Sequence, residues 1–115
     1  MTNTSISPEA TLLESQPNEQ ERTAQLKKEF DAIFLRGEHI EALRLAEQGL
    51  AQFTKHGEQQ GQAMALNLIG IAYRNMRNLT ASLEALQKCL DIREAIGDTV
   101  GVAQAINGMG LTYNY

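Results

Sequence analysis

Residues 57–75 read GEQQGQAMALNLIGIAYRN, and residues 97–115 read GDTVGVAQAINGMGLTYNY. The two stretches are copies of one segment, forty residues apart. A fixed period of this length indicates a chain built by stacking one small unit, rather than a globule around a single active cleft. Seven of the nineteen aligned positions are identical: Gly57/Gly97, Gly61/Gly101, Ala63/Ala103, Ala65/Ala105, Asn67/Asn107, Gly70/Gly110 and Tyr73/Tyr113.

Almost all of the chain after residue 20 shows helical periodicity, and no segment shows the strict alternation of a strand. Apolar stripes predict five helices, the last three over about 59–76, 79–96 and 99–115. Glycines at 37, 57 and 97 predict the helix ends, and Asp98 offers an N-cap carboxylate for the fifth helix. Short turns between the helices favour antiparallel hairpins in an all-α fold.

The composition divides the chain into a tail and one domain. Residues 1–20 hold both prolines, three acids and no Lys or Arg, which is typical of a disordered or loosely ordered acidic tail. A short helix over residues 10–14 is the one element that this tail offers. Residues 21–115 carry eleven acids and ten bases, so the body has a net charge of −1 out of the total of −4.

The nearly neutral body gives no electrostatic reason to expect nucleic acid or an anionic membrane as a partner. No secretory signal and no stretch of eighteen apolar residues is present in the sequence. The single cysteine, Cys89, excludes an internal disulfide and fits a reducing compartment. These features predict a cytoplasmic protein.

One motif in the second half is more specific. Leu66-x-x-Ile69-Gly70-x-x-Tyr73, followed by Ser82, Leu86 and Cys89, resembles the tetratricopeptide repeat. The forty-residue spacing, with Gly-Asp or Gly-Glu at the junction, resembles the longer-helix subclass found in kinesin light chains, Pins-type adaptors and bacterial proteins, cyanobacterial ones among them. The resemblance implies a right-handed α-solenoid of about two and a half repeats, divided into residues 21–57, 58–97 and 98–115.

The motif also predicts how the helices pack. Gly70 and Gly110 mark equivalent points where a hairpin's two helices touch nearly backbone to backbone, and Ser82 and Cys89 are small residues buried on the second helix. Phe30 stands where the motif wants Gly or Ala, which predicts either a splayed first hairpin or a divergent capping unit.

The third repeat stops after its first helix, which leaves apolar residues on more than one face of that helix. Two interpretations stay open. Either the chain is the N-terminal piece of a longer repeat protein, or it buries this patch by self-association.

In this repeat class the first helix of each hairpin lines a concave groove that binds the ligand. Asparagines at equivalent positions suit a peptide backbone, because an amide both donates and accepts hydrogen bonds, and Arg74 suits a ligand carboxylate. The alternative is that Asn67 and Asn107 bridge neighbouring helices. By the resemblance the groove residues are Lys27, Asp31, Met64, Asn67, Ile71, Arg74, Asn75, Gln104, Asn107, Leu111 and Asn114.

Catalytic interpretations are poorer. His39 and His56 fall at opposite ends of one predicted helix, and paired carboxylates such as Asp91 and Glu94 are ordinary on a solvated helix. Cys89 is predicted to be buried and unreactive, with no second cysteine for a zinc site. We therefore expect no enzyme activity, no cofactor and no metal.

Three functional hypotheses follow. The first is a protein-interaction scaffold that binds a peptide or a helical partner in the concave groove. The second is a sensor or regulatory segment of a longer protein with an effector domain downstream. The third, enzymatic activity within these residues, has the least support.

Overall fold

The computed structural model describes residues 16–114, and within that range the chain is all-helical, with no strand. The short helix considered for residues 10–14 lies outside the described residues. The boundaries predicted for the last three helices agree with the structure to within two residues. The five helices are α1 (Glu19–Leu35), α2 (His39–Lys55), α3 (Gln59–Asn75), α4 (Leu79–Ala95) and α5 (Thr99–Tyr113).

Each pair of consecutive helices is joined by a three-residue turn, so a new helix begins every twenty residues. The middle residue of every turn has a positive φ, a backbone conformation in which glycine avoids the steric cost of a Cβ. This explains why glycines in the sequence located three of the four turns between helices. The four middle residues are Gly37 (80°), Gly57 (66°), Arg77 (65°) and Gly97 (74°).

Side-chain caps fix three helix starts, at Asn18, Asn78 and Asp98. Asn18 Oδ1 accepts a hydrogen bond from the Glu21 amide at 2.8 Å, and Glu21 Oε1 accepts one from the Asn18 amide at 3.0 Å. This reciprocal capping box explains why α1 begins at Glu19, slightly before the boundary that composition indicated. Asp98 Oδ1 accepts from the Gly101 amide at 2.9 Å, which confirms Asp98 as the N-cap of α5.

The N-termini of α1 and α3 are tied together. Glu19 Oε2 accepts a hydrogen bond from the Gly61 amide at 2.9 Å, where the positive end of the α3 dipole favours a carboxylate. Arg22 donates two hydrogen bonds to the Glu58 carboxylate, one of them from Nη1 to Oε1 at 2.7 Å. These contacts hold the first helices of two successive hairpins side by side.

The pH dependence of stability follows from this ion pair. The hydrogen bond from Arg22 lowers the pKa of Glu58 in the folded chain, so the pair stabilises the fold above the unfolded-state pKa of about 4.3. Its contribution is lost as the pH falls through the lower, folded-state pKa. We expect Glu58→Gln to lower the urea midpoint at pH 7 and to have a fading effect below about pH 4.

Glu84→Gln is the matched control, because Glu84 is exposed on α4 and forms no ion pair among the described residues. Urea unfolding followed by circular dichroism from pH 7 to pH 3 measures both variants. A Glu58→Gln effect that stays constant over this range would contradict the role of the ion pair.

The first helices form one side of the molecule. Helix α3 packs against both α1 and α5, whereas the described parts of α2 and α4 do not pack on each other. Because the first helices are close together and the second helices are apart, α1, α3 and α5 lie along the inner side of a stack of hairpins. This arrangement is that of a helical repeat; the handedness of its superhelix stays a prediction.

Position 70 confirms the predicted close approach of paired helices. A Cβ added to Gly70 would lie 2.7 Å from Leu86 Cγ, and Ser82 Oγ donates a hydrogen bond to the Gly70 carbonyl at 2.8 Å. The same prediction is wrong for Gly110, where an added Cβ would meet no atom within 4 Å. The reason is that no described helix pairs with α5 on that side.

Phe30 occupies the corresponding position of the first hairpin. Its side chain is 1% exposed, belongs to the main hydrophobic core and stacks on Phe34 with the ring centroids 5.4 Å apart. In the first hairpin, the Phe30 ring therefore fills the space between the helices. In the second hairpin, the helices close this space by direct contact at Gly70.

Candidate functional site

A groove of about 320 Å³ runs along the inner side of the helix stack, between α3 and α5 and beside α1. Its walls come from one face of each first helix, because residues spaced by three and four share a helical face. Helix α4 lies behind these helices and supplies part of the floor. The lining residues are Lys27, Met64, Asn67, Ile71, Arg74, Leu86, Arg93, Gln104, Asn107, Gly108 and Leu111.

Eight of the eleven residues proposed from the sequence line this groove: Lys27, Met64, Asn67, Ile71, Arg74, Gln104, Asn107 and Leu111. Three do not. Asp31 forms an ion pair with Lys27 at 2.7 Å, Asn75 is the last residue of α3, and Asn114 is the exposed C-cap residue of α5. The structure thus brings eight of the proposed residues together and leaves three outside the groove, and the binding role of all of them stays a prediction.

Sequence reasoning missed Leu86, Arg93 and Gly108. The signal for Gly108 was present, because it replaces Leu68 of the preceding repeat, a residue that is 1% exposed in the core. A Cβ at 108 would meet Leu86 Cδ2 at 3.5 Å, so Gly108 lies directly over the buried Leu86 side chain where both line the groove. At this position the repeat has a glycine in α5 in place of the leucine in α3. The two residues from α4 carried no signal, since the motif assigns that helix to the outer side.

The polar groups of the groove keep hydrogen-bonding capacity that the described chain does not use. Among the described residues, neither the Asn67 nor the Asn107 side chain has a hydrogen bond to another part of the chain. Arg74 Nη1 donates to the Gly108 carbonyl at 3.2 Å and so bridges α3 to α5. The amides therefore lack the helix-bridging bonds of the alternative interpretation, and Arg74 retains further N–H donors.

The groove is cationic although the chain is acidic overall. Three of its lining residues are Lys27, Arg74 and Arg93, and no Asp or Glu lines it. Arg93 is only 4% exposed and donates to the Gly101 carbonyl at 3.1 Å. No carboxylate of the described residues pairs with Arg74 or Arg93. A buried or half-buried guanidinium without a carboxylate partner favours binding of an anionic group.

The residues weighed for catalysis lie apart from this groove. His39 begins α2 and packs edge-on against Phe34, whereas His56 caps the other end of α2, with Nδ1 2.9 Å from the Gln52 carbonyl oxygen. Cys89 is a free, buried thiol, and burial raises its pKa above the ordinary value, so the thiolate that would be reactive is disfavoured. Within residues 16–114 no group of His, Cys, Asp and Glu side chains is placed to hold a metal ion.

Comparison with known proteins identifies no relative of this chain. No family model, no curated protein and no solved structure matches the chain. In the part of the chain that the structure describes, no helix combines the length and apolar character needed to cross a membrane. The functional interpretation therefore stands on the groove itself.

Proposed function

We propose that this chain is a non-catalytic protein-interaction module that binds a peptide or a helical segment of a partner in its groove. The observation that carries the proposal is that one face from each of α1, α3 and α5 contributes side chains to a single groove. Repeated units that place equivalent residues along one continuous surface are the usual design of solenoid binding proteins.

The groove chemistry favours a peptide that carries a carboxylate. Asn67 and Asn107 are equivalent positions of two repeats, so their amides offer matched donors and acceptors to successive peptide groups of an extended ligand. Arg74 and Arg93 supply cationic donors, and Met64, Ile71 and Leu111 supply apolar contact area beside them. Such a site binds an acidic segment that also has an apolar side chain to bury.

The family and the location are part of this proposal. The motif of the second repeat and the inner-side groove support a tetratricopeptide-like module of the forty-residue type. The single free cysteine, buried rather than bridged, is compatible with a reducing cytoplasm. We propose a protein or peptide partner rather than nucleic acid or a membrane, because the body of the chain has a net charge of only −1.

Selection from a phage-displayed library of random peptides tests the proposed function. We expect enriched peptides to contain Asp or Glu next to apolar residues, because the groove pairs cations with apolar walls. Enrichment of sequences with no acidic residue, or no enrichment over several rounds, would contradict the proposed groove function.

Replacing Asn67 by alanine is expected to weaken binding of a selected peptide about tenfold, which corresponds to about 1.4 kcal/mol. The reason is that Asn67 lines the groove and has no hydrogen bond within the described chain, so its truncation removes a ligand contact and no structural one. Fluorescence anisotropy with the labelled peptide measures the change in Kd, and thermal unfolding measures stability.

Asn75→Ala is the matched control, since it makes the same substitution on the same helix outside the groove. We expect it to leave the Kd unchanged. A large fall in Tm for Asn67→Ala together with a normal Kd would show that Asn67 has a structural role.

A further inference from the structure

Two arginines of the groove are anchored to the same helix. Arg74 Nη1 donates a hydrogen bond to the Gly108 carbonyl at 3.2 Å, and Arg93 Nη1 donates one to the Gly101 carbonyl at 3.1 Å. Residues 101 and 108 are two helical turns apart on α5, so their carbonyls lie on nearly the same side of the helix, about 10 Å apart. The two guanidinium groups therefore lie at two separate points along the groove with roughly this spacing.

Arg93 is the less ordinary of the two, because it is a buried cation. It comes from α4, is 4% exposed, and lines both the groove and a second cavity of about 300 Å³ between the end of α4 and the start of α5. A guanidinium carries five N–H donors, and the bond to the Gly101 carbonyl uses one of them. Nε and Nη2 are not sealed in the core, since His39 Nδ1 is the one fully buried side-chain nitrogen without a hydrogen-bond partner among the described residues. Arg93 therefore has unused donors within reach of the cavities that it lines.

The described part of the chain neutralises neither guanidinium. Asp98 lies beside Arg93, but its Oδ1 accepts from the Gly101 amide at 2.9 Å as the cap of α5, and it forms no ion pair with Arg93. Arg74 has no carboxylate partner among the described residues either. A buried or half-buried charge is costly unless it is paired, so each of the two points favours an anionic group of a ligand.

The amides beside these two points favour an extended ligand. Gln104, Asn107 and Asn67 line the groove, and none of their side chains forms a hydrogen bond within the described residues. The backbone of a helical ligand pairs its N–H and C=O groups internally, so it has few left for these amides. An extended backbone leaves the same groups free to pair with them.

The spacing of the two points selects a register of the ligand. In the polyproline II conformation, three residues complete one turn, so residues i and i+3 point the same way about 9 Å apart. In a flat β-strand, by contrast, side chains three residues apart point to opposite faces. We propose that the groove binds an extended peptide with acidic side chains at i and i+3, one held by Arg74 and the other by Arg93. This inference rests on the proposed groove function and specifies the ligand of the same site.

The acids of residues 1–115 do not supply this ligand. Before α1 the sequence has two acids, Glu9 and Glu14, which are five residues apart. Acids three residues apart occur at 38/41 and 91/94, at the start of α2 and within α4, where the helix brings such side chains to about 5 Å from each other. No acidic pair in this sequence thus combines the spacing with an extended backbone, and the ligand is a peptide of a separate molecule.

Capped, fluorescein-labelled peptides of one composition test this register. Each contains two glutamates among serine, proline and leucine residues, and the glutamates are two, three, four, five or seven residues apart. Anisotropy titrations with the whole chain give each Kd. We expect the peptide with the three-residue spacing to bind at least about tenfold more tightly than any of the others.

Replacing one glutamate of this peptide at a time by glutamine assigns each acid to an arginine. In the unmodified chain we expect either replacement to weaken binding about tenfold. In Arg74→Met one of the two replacements should lose its effect, and in Arg93→Met the other should. Arg93→Lys keeps the charge but not the paired donors of the guanidinium, so it replaces Arg93→Met if that variant does not fold, and it should diminish the effect of the same replacement.

Arg44→Met is the matched control, because it removes one positive charge from an exposed position of α2 outside the groove. We expect it to preserve the Kd of the peptide and the effects of both glutamine replacements. Equal effects of Arg44→Met and Arg74→Met would overturn the inference, because net charge alone would then account for binding. So would the loss of both replacement effects in a single arginine variant.

The remaining outcomes separate this inference from the proposed groove function. Similar Kd values for all the peptides would overturn the two-point register and leave the groove function standing. Tightest binding at the seven-residue spacing would also overturn it, because acids seven residues apart share one face of a helix about 10 Å apart, and the ligand would then be helical. Absence of binding by every peptide would overturn both the inference and the groove function.

Discussion

Replacing Phe30 by alanine is expected to lower the free energy of unfolding by about 4 kcal/mol, the cost typical of emptying a buried aromatic site. Phe30 is 1% exposed and stacks on Phe34 in the main core. Helices cannot close the space left behind without shifting along their whole length. Urea unfolding followed by circular dichroism measures the loss.

Leu35→Ala is the control, because it removes a large apolar side chain from the same helix at a position that is 84% exposed. We expect it to change stability by less than about 0.5 kcal/mol. If Phe30→Ala and Leu35→Ala had similar small effects, α1 would not be an integral part of the core, and its face could not form a fixed side of the groove.

Gly61→Ala is expected to destabilise the chain by about 3 kcal/mol, although alanine is the better helix former. An added Cβ would lie 2.1 Å from Cδ1 of the Phe53 ring, which is 3% exposed, so the ring or the backbone would have to shift. The cost is one of overpacking, because α2 and α3 approach each other at this glycine. The Gly61 amide also donates to Glu19, so a displaced backbone would weaken the link between α1 and α3.

Gly110→Ala is the matched control for this overpacking. The substitution is the same and also lies within a helix, but an added Cβ at 110 meets no neighbour. We therefore expect a gain of about 0.5 kcal/mol from helix propensity alone. In urea unfolding, a lower free energy of unfolding for Gly61→Ala and a higher one for Gly110→Ala would support a packed environment at Gly61 and an open one at Gly110. Destabilisation by both variants would contradict the open environment of Gly110.

Much of the groove was predictable because it depends on the register of a repeat. Once Gly57 and Gly97 fixed the spacing, residues such as Asn67 and Asn107 had to share equivalent helical faces. The prediction extended too far at the helix ends, where Asn75 and Asn114 leave the groove. Leu86 and Arg93 could not be found in this way, because they belong to α4 and reach the groove between α3 and α5. Their position depends on how these three helices pack.

The sequence by itself determined the five helices and the faces on which their residues lie. These are local properties, set by the spacing of apolar residues and by turns that favour glycine, and they need no knowledge of neighbours. Only the tertiary structure decided what each face contacts. Phe30, Gly70 and Gly110 stand at the same repeat position, yet one fills the core, one allows close helix contact and one is left open. Their different roles arise because burial depends on the neighbouring helix, and no described residue covers the face of α5 that carries Gly110.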